Sequence, residues 1–185
     1  MVSEAVAELK GEPIRLPVEI TVDLPVKASI PESYVGREDL RLEAYRRLVD
    51  VRDAAAVADL RAEWADRYGP PPRQAEALLA VGRLRAECVR TGVTEVTAAA
   101  TKPGVAGPGR LGEVVVRLSP VKLAVSSQVR LGRQHPRAIL KADSNQLIVP
   151  LAAGDDLADR LVRLLAELIP VTGSGPEPAP TIGAS

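Results

Sequence analysis

The sequence predicts an α+β domain, with helices packed on one side of a largely antiparallel sheet, an extended N-terminal arm and a disordered C-terminal tail. Three observations carry this. Apolar residues recur at helical spacing from residue 38 to 90, alternate from 93 to 151, and return to helical spacing in a leucine stripe at 157–168. Helices, then strands, then a helix is the order expected when helices gather on one face of a sheet. Residues 12–30 mix Pro with Ile14, Val18, Ile20 and Val22, and the stretch after Pro170 is too poor in apolar residues to order itself.

Each element has a local reason. Residues 2–11 read as the last turns of an amphipathic helix closed by Gly11, so the chain is expected to continue a preceding domain. Pro17 and Pro25 lack an N–H, which makes 12–30 an extended arm or an edge strand. A helix spans Glu38 to Val49, with Leu42, Tyr45 and Val49 on one side and Leu40, Ala44 and Leu48 beside them. Asp53 caps the next helix, about 54–68, whose buried stripe is Val57, Leu60, Trp64 and Tyr68. Gly69 and Pro70–Pro72 stop it, and a third helix runs from Arg73 to Arg90 on Ala77, Leu78, Val81, Leu84 and Cys88. Strands are predicted at 93–100, 113–118, 121–131, 137–142 and 146–151, with 102–112 a mobile connection and Asp143-Ser144-Asn145 a hairpin turn. Asp155 is placed as the cap of the last helix, whose face is Leu157, Leu161, Leu164, Leu165 and Leu168.

Composition narrows the function classes. The 185 residues are 46% apolar without a single Phe, so the core is aliphatic. Net charge is zero, which argues against a chain built wholly for nucleic acid. Charge is uneven, however: residues 101–141 hold eight Lys/Arg against Glu113 alone, a local +7. One Cys excludes an internal disulfide. With no secretory leader and no apolar run of membrane-spanning length, a cytoplasmic, monomeric module without membrane contact is expected.

Catalytic signatures are missing. No GxxxxGK[ST] cradles a phosphate, and Gly104, Gly107, Gly109 and Gly112 sit between strands. His135 has no companion ligands at metal spacing and reads as a turn residue, while Cys88 reads as a core thiol. The pairs Glu38/Asp39 and Asp155/Asp156 fall at helix starts, where carboxylates meet the helix dipole. Arg130, Arg133, Arg137 and Lys141, with Arg117 and Lys122, form a basic strand region that could touch phosphates, or an acidic protein, yet carries no aromatics for stacking. Glu63, Asp66 and Arg67 share one face of the second helix, about a third of a turn from its apolar stripe. By charge alone that face is either solvated or presented to a protein.

The motifs Ile30-Pro31-Glu32-Ser33-Tyr34-Val35, Leu40–Leu48 and Glu63–Gly69, followed by Pro71-Pro72 and Ala77-Leu78-Leu79, resemble the family pattern IPxxYI, LRLxxYRRL and ELxDRFGxxP. On these the chain resembles the C-terminal domain of the bacterial transcription-repair coupling factor, Mfd, over about residues 14–92. Trp64 and Tyr68 depart from the pattern but keep the apolar stripe. The resemblance implies that 1–30 end a helix and link from a motor domain, 31–170 form a regulatory domain and 171–185 a tail. It implies no enzymatic activity and no cofactor in this chain, ATP and Mg belonging to the motor domains of an ATP-driven double-stranded DNA translocase. It further implies that Glu63, Asp66 and Arg67 contact the UvrB-like domain of the same protein, masking the surface that recruits UvrA until the motor engages stalled RNA polymerase and DNA. The alternative is an accessory nucleic-acid-binding domain using the basic region 110–141.

Overall fold

The computed structural model describes residues 19–101 and 112–170. The expected helix end at 2–11, residues 102–111 of the expected connection 102–112 and the tail 171–185 lie outside the described residues. Within them the chain order is β1 (Thr21–Asp23), α1 (Glu38–Asp50), α2 (Ala54–Tyr68), α3 (Arg73–Thr91), β2 (Glu95–Ala100), β3 (Glu113–Ser119), α4 (Val125–Gln134), β4 (Ile139–Lys141), β5 (Gln146–Ala152) and α5 (Leu157–Leu168). The predicted α+β class holds, with the helices against one face of a five-stranded sheet ordered β1-β2-β3-β5-β4.

The sheet is antiparallel except where β1 runs parallel to β2 at its edge. An edge position suits the Pro-flanked arm, because β1 needs partners on one side only. The hairpin β4–β5 forms as expected, and Asn145 takes the positive φ (49°) that its turn requires.

Two cores share one helix. The first lies between the inner sheet face (Val96, Val114, Val116, Leu118, Leu147, Val149) and α5, with Ala80, Leu84 and Cys88 from α3. The second is built by α1, α2 and the N-terminal half of α3, around Val57, Leu60, Trp64, Leu48 and Leu79. Because α3 serves both, it is buried on more sides than one stripe allows. Leu79, absent from the predicted stripe, is fully buried, whereas Leu78 and Val81 are half-buried.

Three local expectations are corrected. The segment 121–131 is not a strand: Val121 and Leu123 do face the core, but from Val125 onward the buried residues are Ser127 and Leu131, four apart, so the chain winds into α4. Val125 and Val129, the β-branched residues that suggested alternation, point outward. On α1 the broad apolar surface is used in part only, with Ala44 and Leu48 buried, Leu40 and Tyr45 half-buried against the same core, and Leu42 and Val49 exposed. Asp155 does not cap α5. The N-cap is Asp156, whose Oδ2 instead accepts from Arg160 Nε at 2.8 Å.

Other ends follow the sequence. Asp53 Oδ1 accepts from the Ala56 N–H at 2.8 Å, and Gly69 closes α2 at φ 87°. The linker 30–36 is pinned to the helices by the residues of the family pattern. The Ile30 N–H donates to the Tyr45 hydroxyl at 2.8 Å, and Arg41 Nη1 donates to the carbonyls of Val35 and Gly36 at 2.7 and 3.0 Å. Tyr34 donates its hydroxyl proton between the carbonyls of Gly69 (2.7 Å) and Trp64 (3.1 Å), tying the linker to the end of α2.

At Gly82 of α3 the Leu48 side chain of α1 lies against the helix backbone: a Cβ there would stand 2.6 Å from Leu48 Cδ1. Ala in place of Gly gains about 1 kcal/mol of helix propensity. Overpacking costs about 1–3 kcal/mol, and Leu48 is itself buried, so the clash wins. Gly82→Ala is expected to lose about 1 kcal/mol by denaturant unfolding, and the loss to shrink when Leu48→Ala is added. A more stable Gly82→Ala protein would contradict this packing.

Candidate interdomain interface

The helix α2 divides its faces as its sequence pattern requires. Trp64 is only 3% exposed, with Val57 and Leu60 beside it, so the oily flank is inside. Asp66 and Arg67 are exposed and Glu63 is half-buried on the flank toward α1. Two ion pairs fix the helix in place. Arg61 grips Glu76 of α3 with Nε and Nη2 (2.6–3.1 Å). On the opposite flank Arg47 of α1 pairs with Glu63, which also accepts from Arg67 Nη1 at 3.1 Å one turn along.

The result is a shallow groove between α1 and α2, lined by Glu43, Arg47, Glu63 and Arg67 over Ala44 and Trp64. The hydrogen bond from Arg47 is the main cause that holds the Glu63 carboxyl below its ordinary range, with Arg67 adding to it. Arg67 also lies 5.9 Å from the centroid of Tyr68, whose ring meets Tyr34 edge-on at 5.9 Å. The Asp66 side chain makes no hydrogen bond or ion pair among the described residues. The structure therefore brings Glu63 and Arg67 into direct contact and leaves Asp66 beside them facing outward.

Arg47 is the residue that sequence reasoning missed. Its contact with Glu63 spans 16 residues and two helices. Helical spacing relates residues within one element and carries no signal for such a pair.

The basic residues are dispersed by the fold. Arg130 and Arg133 sit on the helix α4 rather than on a strand, and Lys141 ends β4. Arg130 Nη1 donates to the Glu167 carbonyl of α5 at 2.7 Å. Arg137 grips Glu113 with two bonds of 2.5 and 2.8 Å. Arg133 and Lys141 are exposed. Burial pushes the Cys88 thiol up to about 12, so it is unreactive while folded. Among the described residues no group of His, Cys, Asp and Glu is arranged to hold a metal ion, and no helix is long and apolar enough to cross a membrane. His135 ends α4 and is half-buried.

The Arg47–Glu63 pair is partly exposed on both sides (45% and 31%), so it is worth only about 0.2–1 kcal/mol. Its sign with pH is fixed. The depressed carboxyl contributes stability that is complete above the ordinary Glu value and is lost as pH falls through the lower folded value. The stability gap between the parent chain and Glu63→Gln is thus expected to stay below about 1 kcal/mol at neutral pH and to close in acid. Urea unfolding across pH 2–7 checks this, and a gap that widens in acid would contradict it.

Comparison with known proteins gives the context of this groove. The TRCF domain family matches residues 24–105, which include the pinned linker, all of α1–α3 and β2 but not β1. The transcription-repair-coupling factors of Mycobacterium bovis and Mycobacterium tuberculosis are each 37% identical over 182 residues, 92% of this chain. That of Myxococcus xanthus is 34% identical over 133 residues, 65% of the chain. The chain spans only 14% of the mycobacterial relatives' length. A crystal structure of the C-terminal domain of transcription-repair coupling factor shares the fold, with a TM-score of 0.57 at 15% identity over 81% of this chain and 91% of that one. The chain belongs to the transcription-repair coupling factor family and constitutes a domain of it.

Proposed function

We propose that this domain is a non-enzymatic regulatory latch within a longer coupling factor. The parent is read as an ATP-driven double-stranded DNA translocase, with ATP and Mg held by its motor domains. The face Glu63–Asp66–Arg67 packs against the UvrB-like domain of the same protein and masks the surface that recruits UvrA. Engagement of stalled RNA polymerase and DNA by the motor releases it. The carrying observation is the division of α2: Val57, Leu60 and Trp64 are buried inside the domain, while Asp66 and Arg67 are exposed and Glu63 half-buried on the ionic flank of a helix clamped from two sides.

Charged groups on a rigid helix suit a reversible contact. Charge-assisted hydrogen bonds contribute about 1.5–3 kcal/mol each, so a few bias a closed state by one to several powers of ten. A wholly apolar interface of domain size would hold more tightly than a motor stroke needs to break. The accessory nucleic-acid role for Arg130, Arg133, Arg137 and Lys141 is the weaker proposal, since Arg130 and Arg137 already bond within the domain. A salt titration of DNA binding by the chain separates the two, because phosphate contacts give a steep slope.

Glu63→Lys with Arg67→Glu in the full-length factor is expected to leave folding intact and to tighten UvrA binding by about tenfold or more, the equivalent of one charge-assisted contact. UvrA affinity equal to that of the parent would remove the latch assignment.

A further inference from the structure

Both hydrogen bonds that reach the Glu63 carboxylate land on the same oxygen. Arg47 Nη1, from α1, and Arg67 Nη1, from α2, each donate to Oε1, and neither uses Oε2. A carboxylate offers acceptor positions on both oxygens. Glu63 is therefore anchored by one oxygen while the other carries no hydrogen bond within the described residues. The two guanidinium groups are likewise only partly spent: each gives one N–H to Glu63 and keeps further donors in its planar fork. Asp66, one turn from Glu63, adds a second outward carboxylate. On the far side of Arg47 lies Glu43, whose charge acts on the same guanidinium.

We infer that Arg47 is a positioning residue of this interface, and that the partner surface sets a cation against Glu63 Oε2 and Asp66 beside a carboxylate that bridges Arg47 and Arg67. The inference rests on the latch assignment and adds to it the residue that orients Glu63 and the charge pattern of the opposing surface. Two anchors on Oε1 remove the rotamer freedom that a flexible Glu would otherwise lose on docking. A partner that presents one sign of charge alone meets a like charge in this groove and is disfavoured. The alternation Glu43, Arg47, Glu63, Arg67 thus selects a bipolar surface rather than a uniformly acidic or basic one.

The test uses the full-length factor with three variants, reading UvrA affinity and hydrogen exchange of the α1 and α2 amides. Glu63→Lys tests the latch itself and should tighten UvrA binding. Arg47→Gln removes the anchor while leaving Glu63 in place, and should tighten UvrA binding on the order of fivefold. Arg47→Glu combined with Glu63→Arg restores the pair within the domain but presents reversed charges to the partner. It should recover parental exchange protection while UvrA binding stays tightened. If Glu63→Lys tightens binding and Arg47→Gln does not, Arg47 has no part in the interface although the latch stands. If the swapped pair returns UvrA affinity to the parental value, Arg47 acts only by holding α1 on α2, and the bipolar partner is excluded. If Glu63→Lys itself changes nothing, the latch fails and this inference with it.

Discussion

Everything outside α3 is arranged by the fact that α3 belongs to two cores at once. Its N-terminal half contributes Ala75 and Leu79 to the helical core, and its later turns contribute Ala80, Leu84 and Cys88 to the sheet core. A helix buried on two sides has little width left for a charged side, and on α3 Glu76, Arg83 and Glu87 are spent on ion pairs within the domain. The exposed chemistry of the helical half therefore falls to α1 and α2, which are amphipathic and lie outside. Gly82 completes the constraint by letting Leu48 of α1 approach the α3 backbone. Since both cores lean on the same rigid rod, α2 is held at a defined place relative to the sheet. That placement is what a surface made for another domain requires.

The ionic flank gains its definition from contacts that are individually weak. Arg61–Glu76 and Arg47–Glu63 are partly solvated, and neither decides whether the domain folds. The burial of Trp64, Leu60 and Val57 does that, at about 1.5–3 kcal/mol for each large side chain. The ion pairs instead settle where the charged ends sit once the helix is packed. Stability and orientation are thus carried by different residues of one helix. Change on the ionic side can alter recognition while leaving the fold in place.

What the sequence revealed follows this same division. The boundaries of α1–α3, the Asp53 cap, the Gly69 stop, the hairpin at Asn145 and the Val57, Leu60 and Trp64 stripe of α2 are local consequences of residue type and spacing and are found as read, with Tyr68 half-buried at the end of that stripe. Which of α1's two apolar sets is buried and the two-sided burial of α3 depend on which elements pack together, and spacing within one helix does not contain that. Residues 121–131 were misread for a related reason. A short apolar alternation fits either period until the buried pair Ser127 and Leu131 is known. For the interface, Glu63, Asp66 and Arg67 were visible as a helical face. Arg47 was not, because its role exists only across the α1–α2 contact.

The proposed latch has to satisfy two opposed demands, and the chemistry of the groove suits both. It must hold a closed state against thermal opening, which asks for a free-energy bias of a few kcal/mol. Under that proposal it must also yield when the motor proposed for the longer protein moves, which sets an upper bound of similar size. Apolar burial scales with area and is hard to tune between these limits. A small number of partly exposed ion pairs is tuned by geometry, and each pair can be exchanged for water at little cost. Glu63 sits at the balance point: its carboxylate is fixed by Arg47 and Arg67, so a partner gains a preorganised acceptor. Yet the same two arginines remain to satisfy that carboxylate when the partner leaves, so opening strands no buried charge. A carboxylate buried without such internal partners would make the closed state far harder to leave.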